Sequence, residues 1–165
     1  IDMGIRRVSD ACRRALRKVD NDVMILLENM AGTRNSVGSS FEDIAKMMDA
    51  IQGGERIGLC FDTCHAFAAG YDLRTGAAIE KTLELFDDIL GLSNLKVVHI
   101  NDSVGELGSG IDRHEHIGLG RIGERGFKEL LHRKEIRSLP MILETPLDGR
   151  RDDIGNLKKV RALAR

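Results

Sequence analysis

Residues 56–65 read Arg56-Ile57-Gly58-Leu59-Cys60-Phe61-Asp62-Thr63-Cys64-His65, a short apolar run closed by a carboxylate, with an imidazole three residues further on. A run this short and this continuously apolar is what a parallel-sheet strand buried on both faces requires. Asp62 ends the strand, so the sheet fixes its side chain. His65 is expected to turn back from the following loop, bringing oxygen and nitrogen donors to one point in the mixture that borderline cations such as zinc or manganese prefer.

Three further runs end in the same way. Val23-Met24-Ile25-Leu26-Leu27 leads into Glu28, Leu95-Lys96-Val97-Val98 into His99, and Met141-Ile142-Leu143 into Glu144. Functional groups of βα barrels and open parallel sheets sit at the carboxyl ends of strands, so Glu28, Asp62, His99 and Glu144 point to one shared site. Amphipathic segments separate the runs. Ser39-Ser40 followed by Phe41-Glu42-Asp43 caps one helix, with Ile44, Ala45, Met48 and Ile51 on one face. Ile79, Leu83, Phe86 and Leu90 mark the next, stopped at Gly91; Phe127, Leu130 and Leu131 mark a third. Ile154, Leu157, Val160 and Leu163 mark a closing helix, and Val8, Cys12, Ala15 and Leu16 one before the first strand. The order is one helix followed by four βα units, an α/β fold with right-handed crossovers.

A closed (β/α)8 TIM barrel takes about 250 residues, whereas this chain has 165 and four strand-like runs. Residues 1–165 are therefore expected to form a single domain that is the C-terminal part of a TIM barrel, with an N-terminal portion absent. A small open four-stranded α/β domain is the bland alternative. A charged fraction of 31%, a hydrophobic fraction of 42% and a net charge of −1 describe a globular chain able to bury a core. Without an apolar run of ~20 residues or a signal peptide, no membrane association is expected and a cytoplasmic location is the default. Cys12, Cys60 and Cys64 are odd in number and lack paired C-x-x-C spacing, so no disulfide is expected. Cys64 lies close enough to Asp62 and His65 to be a ligand, although a small packing role beside the site suits it better.

A long connection, Ile100 to Arg125, separates the third and fourth runs, and loops of this length inside compact domains are usually functional. Asp112 and His114 point the same way if the segment is extended, making a second carboxylate–imidazole pair. Arg113 and Arg121 flank them among glycines that would let backbone approach a phosphate. A solvated loop with scattered charges is the alternative.

Four motifs together closely resemble the endonuclease IV family: Asp-Thr-Cys-His-Ala-Phe-Ala-Ala-Gly-Tyr-Asp at 62–72, His-Ile-Asn-Asp at 99–102, Asp-Arg-His at 112–114 before Ile-Gly-Leu-Gly, and Ile-Leu-Glu-Thr-Pro at 142–146. They agree in order and spacing and cover essentially the whole chain. The resemblance implies a zinc-dependent DNA-repair endonuclease of xylose-isomerase-like barrel type, with three zinc ions. Its substrate would be double-stranded DNA damaged at an apurinic/apyrimidinic site, cut 5′ to the lesion to leave a 3′-hydroxyl and a 5′-deoxyribose phosphate. Carried over by position, Glu28 would bridge two ions, Asp62, His99 and Glu144 would complete the shell of one, and His65, Asp112 and His114 would hold the third.

These ligands imply at least two zinc ions, since two further histidines of the family have no counterpart here. Glu144 and Glu28 are the candidate catalytic carboxylates, with Glu144 orienting or deprotonating the attacking water. Arg34, Arg113 and Arg121 are candidate DNA contacts; Asn101, Asp102 and Arg74 are candidates for orienting the ligands. His116 is expected to touch phosphate or decorate the loop, and His132 to lie on a surface. The barrel would be completed by the missing N-terminal half or by a homodimer mate. Two rivals stand beside this reading: a single-metal sugar isomerase or epimerase of the same superfamily, which has no need of Asp112-x-His114, and a catalytically incomplete fragment that binds zinc or DNA.

Overall fold

A computed structural model describes residues 2–165. Four strands, β1 (Ile25–Glu28), β2 (Ile57–Asp62), β3 (Leu95–His99) and β6 (Met141–Ile142), form one parallel sheet in the order β1-β2-β3-β6. Helices connect them: α2 (Phe41–Ile51) joins β1 to β2, while α3 (Thr63–Ala69) and α4 (Gly76–Leu90) join β2 to β3. Between β3 and β6 come the antiparallel pair β4 (Asp102–Ser103) and β5 (His114–Glu115), then α5 (Gly123–Leu131) and the short α6 (Lys134–Arg137). α1 (Asp2–Lys18) precedes the sheet and α7 (Asp153–Leu163) follows it. The fold is a partial TIM barrel. No helix among the described residues is long and apolar enough to cross a membrane.

Residues of one face recur every second position along a strand. Leu27, Leu59, Phe61 and Val98 face the helices and are buried. There Phe86 meets Phe41 and Phe61 edge to face at 5.2 and 5.9 Å, arrangements worth about 0.5–1.5 kcal/mol each beyond their area. On the opposite face, Glu28 pairs with Cys60, and Asp62 with His99, which in turn pairs with Ile142. Register thus sets the donor residues side by side at one end of one face. Glu144, two residues beyond Ile142, returns to that side of the sheet.

Helix starts follow the local chemistry. Ser40 Oγ accepts the N–H of Asp43 at the head of α2, and Tyr71, stacked on Phe41 at 4.1 Å, accepts the Phe41 N–H on its hydroxyl. Gly91 ends α4 at φ 74°, a conformation that favours glycine.

Three readings of the sequence are corrected here. His65 is not on a loop but in the first turn of α3, where Asp62 is the N-cap, its Oδ1 accepting the His65 N–H at 2.8 Å. Glu144 lies beyond β6, which stops at Ile142. In α7, Ile154 and Leu157 are 61% and 47% exposed, and the buried residue is Asn156. A polar side chain sets the phase of that helix because its amide donates to Thr145 and His116 and its carbonyl accepts from Ile117 N–H.

Candidate metal centre

Seven donor side chains meet at the carboxyl ends of the strands, in two adjoining groups. Glu28, Asp62, His99 and Glu144 offer donor atoms within 4.8 Å of one another, and so do His65, Asp112 and His114. Glu28 Oε1 lies 3.2 Å from His65 Nδ1 and 3.3 Å from His99 Nδ1, which places it between the groups. His99 Nδ1 is 3.2 Å from Glu144 Oε2 and 3.8 Å from Asp62 Oδ2. Asp62 Oδ1 and His65 Nδ1 approach to 3.8 Å, as their spacing in the sequence promises. The other ring nitrogen of His65, Nε2, faces the loop, with Asp112 Oδ1 at 3.1 Å and His114 Nε2 at 3.4 Å.

Asparagines hold the donors in place. Asn29 makes a reciprocal bridge to the backbone of Asp62, its amide donating to Asp62 O at 3.0 Å and its carbonyl accepting Asp62 N–H at 2.8 Å. Its own backbone oxygen faces His65 Nδ1 at 2.9 Å. Asn101 donates to Asp62 Oδ2 at 2.7 Å and accepts the Glu144 N–H at 2.8 Å, tying the end of β2 to the segment after β6. A parallel ladder cannot continue past its last residue, so these side chains take over its hydrogen bonds. Of the other proposed orienting residues, Asp102 touches no donor and Arg74 pairs with Asp72 over the Phe67 ring.

The groups fit a cation by their own chemistry. Among the described residues, His99 Nδ1 is the buried side-chain nitrogen without a hydrogen-bond partner, and it points among the carboxylates of Glu28, Asp62 and Glu144. His65 Nδ1 and His114 Nδ1 lie 2.9 and 3.0 Å from carbonyl oxygens of Asn29 and Glu144, which can only accept, so each carries its proton there. Their Nε2 lone pairs then converge with the Asp112 carboxylate. Three acceptors aimed at one point require a positive charge between them.

In the protein without metal, protons do part of that work. Burial opposes charging of His65, but its hydrogen bond with Glu28 and the carboxylates of Asp62 and Asp112 hold its pKa up at about 9. Burial drives the Asp62 carboxyl up, partly offset by His65, and it opposes ionisation of Glu28, whose pKa His65 and His99 nevertheless bring down. A folded pKa raised above its ordinary 6.5 gives stability fully present below pH 6.5 and lost as pH rises through about 9. Metal uptake needs that proton removed, so it runs the other way and strengthens over the same interval. Thermal unfolding with chelator is expected to show a falling melting temperature from pH 6.5 to 9, while metal titrated over that range binds progressively tighter.

The other expected residues are distributed as follows. Arg34 and Arg113 are exposed, Arg113 standing between two donor residues of the loop. Arg121 is exposed and paired with Glu106 at 3.1 Å. The glycines near it are not open to a phosphate, because Gly118 and Gly120 donate their N–H groups to the Asp102 carboxylate. His116 neither decorates the loop nor reaches solvent: it is fully buried, accepting from Asn156 on Nδ1 and facing Asp148 with Nε2 at 3.0 Å. His132 is exposed. Cys64 is fully buried, its Sγ 3.6 Å from Arg113 O, and burial pushes its thiol up to about 12.

Comparison with known proteins places this geometry. The family described as xylose isomerase-like TIM barrel matches residues 1–163. "Probable endonuclease 4" of Methanoculleus marisnigri is 54% identical over 165 residues, 99% of this chain and 58% of that protein. "Apurinic-apyrimidinic endonuclease 1" of Plasmodium falciparum is 45% identical over 146 residues, 88% of this chain and 24% of that one. Among solved structures, endonuclease IV from Thermus thermophilus superposes with a TM-score of 0.83 at 38% identity, covering 96% of this chain and 57% of its own. The chain thus spans little more than half the length of the endonuclease 4 relatives it matches. It belongs to the xylose isomerase-like TIM barrel family, as a part-length match to its endonuclease IV members.

Proposed function

We propose that residues 1–165 form one domain, the C-terminal part of a zinc-dependent endonuclease. It acts on double-stranded DNA at apurinic/apyrimidinic sites, hydrolysing the phosphodiester 5′ to the lesion to leave a 3′-hydroxyl and a 5′-deoxyribose phosphate. One observation carries this reading: two donor groups share one strand-end face with Glu28 between them, in a chain whose relatives are named for abasic-site cleavage. A phosphodiester resists attack because its oxygens repel a nucleophile and its alkoxide leaves poorly. Zinc, when bound, lowers the pKa of water, neutralises phosphate oxygens and stabilises the departing oxygen.

The protein's own part is placement. Glu28, Asp62, His99 and Glu144 would hold one ion and His65, Asp112 and His114 another, and the mixed oxygen and nitrogen donors suit zinc. Glu144 has a side chain 47% exposed, the most open of its group, and it orients or deprotonates the attacking water. Glu28, in reach of His65 and His99, would be the carboxylate shared by the two groups. Loss of the base removes its stacking, so extrusion of the abasic nucleotide into the barrel mouth is cheap. Arg34 and Arg113 contact the DNA backbone as exposed cations; Arg121 does so once released from Glu106. A cytoplasmic location, where the DNA substrate would be met, completes the proposal.

Zinc counting together with nicking of an abasic duplex tests the reading. At least two zinc ions per chain surviving dialysis, with nicking at the lesion once the barrel is completed by its remaining strands, is the expected result. One ion and no nicking would favour a single-metal isomerase and reject the endonuclease. For Arg113→Ala, binding of abasic duplex is expected to weaken without loss of zinc. Its log–log dependence on salt should become shallower by ~0.9, the value for one phosphate contact. An unchanged slope, measured by fluorescence anisotropy, would remove Arg113 from the interface.

A further inference from the structure

The loop that carries Asp112 and His114 has little sheet to hold it. β5 is paired to β4 over only two residue positions, Asp102 with Glu115 and Ser103 with His114, too little ladder to persist by itself. Yet Asp102, fully buried, gathers five backbone N–H groups on its carboxylate. Oδ1 accepts from Ser103 at 2.8 Å and Ile122 at 2.9 Å; Oδ2 accepts from Gly118 at 2.9 Å and Gly120 at 3.0 Å; Gly123 N lies 3.3 Å from Oδ2. Four of these amides, at 118, 120, 122 and 123, line the chain that leaves β5. They curl it back over Asp102, and the Arg121 N–H closes the curl on Ser103 O at 2.8 Å. The return limb therefore passes over the root of the loop and clamps β5, with His114 on it, against β4.

We propose that Asp102 is the positioning residue of the loop-borne donor group: an internal anion held in a nest of backbone amides, without which His114 and Asp112 do not meet His65. The proposal rests on the metal-site reading above. Asp102 acts at a distance, since it touches none of the three donors. Its neighbour Asn101 serves the other group directly, through Asp62 and Glu144. Two adjacent residues thus serve two groups by different means. The glycines follow from the same nest: a Cβ at Gly120 would lie 2.5 Å from Asp102 Oδ1 and also collide with Ser103 O.

Asp102→Asn keeps the shape but turns an NH2 group toward two or three of the five donors, and Gly120→Ala leaves the charge but fills the nest. Both are to be read in two ways: by hydrogen exchange of the metal-free protein, and by titration with zinc alone. Expected for each is faster exchange at Gly118 and Ile122, and a zinc affinity at the His65–Asp112–His114 group lowered ~10–100-fold, the effect typical of residues that support ligands. Zinc at the Glu28–Asp62–His99–Glu144 group should stay unchanged. Wild-type exchange and zinc binding in both variants would overturn the proposal. So would equal loss at both groups with general unfolding in both, which would make Asp102 a residue of the fold alone. Failure of the unaltered protein to bind zinc would instead reject the metal-site reading, while the exchange experiment on metal-free protein would still judge the tether.

Discussion

His114→Ala and Asp112→Asn are each expected to remove one zinc ion per chain and to cut abasic-site nicking by ~10²–10³-fold, the scale of losing one preorganised electrostatic contact to the transition state. His114 Nε2 and Asp112 Oδ1 converge on His65 Nε2 at 3.4 and 3.1 Å, and the carbonyl partner of each ring fixes the lone pairs inward. Removing either donor leaves the other two without the cation that separates them. His132→Ala, an exposed residue whose Nδ1 meets Lys128 O, is expected to change neither zinc content nor rate. Zinc analysis and nicking, measured in the same barrel with and without the substitutions, decide the matter. A loss below tenfold with zinc retained would return the loop to a solvated segment with scattered charges.

The donors at the strand ends were legible because parallel strands buried on both sides leave a simple trace, an apolar run that stops at a polar residue. Glu28, Asp62 and His99 each close such a run, and the register brings them to one face. α3 was harder to see. Its seven residues are too few for a helical stripe, and Asp62 serves both as a donor and as the cap. The signals were present nevertheless, in Asp62 as a capping residue, the alanines at 66, 68 and 69, and Gly70 at φ 110° as the stop.

What escaped sequence reading is mostly the polar interior. Buried Asn29, Asp102, His116 and Asn156 look like surface residues in the sequence, since burial of such groups depends on partners far along the chain. Asp102 meets Ile122 twenty positions away and Asn156 meets His116 forty away. No local pattern records such pairings. The same limit explains the glycines of the long connection: their spacing announces close backbone approach but not to which anion. The anion is an aspartate of the chain itself.

Adding strands against the two open sides of the sheet is expected to have the other large effect. β1 and β6 are edge strands, and a TIM barrel has none, because its eight strands close on themselves and fill the interior with layers of side chains. On the inner face Leu26 and Val97 are only partly covered and Ile142 is 47% exposed, while Leu59, on the other face, is buried under the helices. Val23, leading into β1, is 65% exposed. An open edge beside uncovered aliphatic groups favours association with another chain. The 165 residues alone are therefore expected either to close the barrel with a second copy or to unfold at low temperature. They should nick abasic DNA at least ~100-fold more slowly than when joined to strands that complete the barrel, since Glu28 sits on the edge strand with no neighbour to fix it from that side. Light scattering distinguishes a dimer from an unstable monomer, and a nicking assay with and without the added segment measures the gain. A cooperatively folding monomer with undiminished activity would mean that four strands suffice for the site and that the edges are closed by nothing.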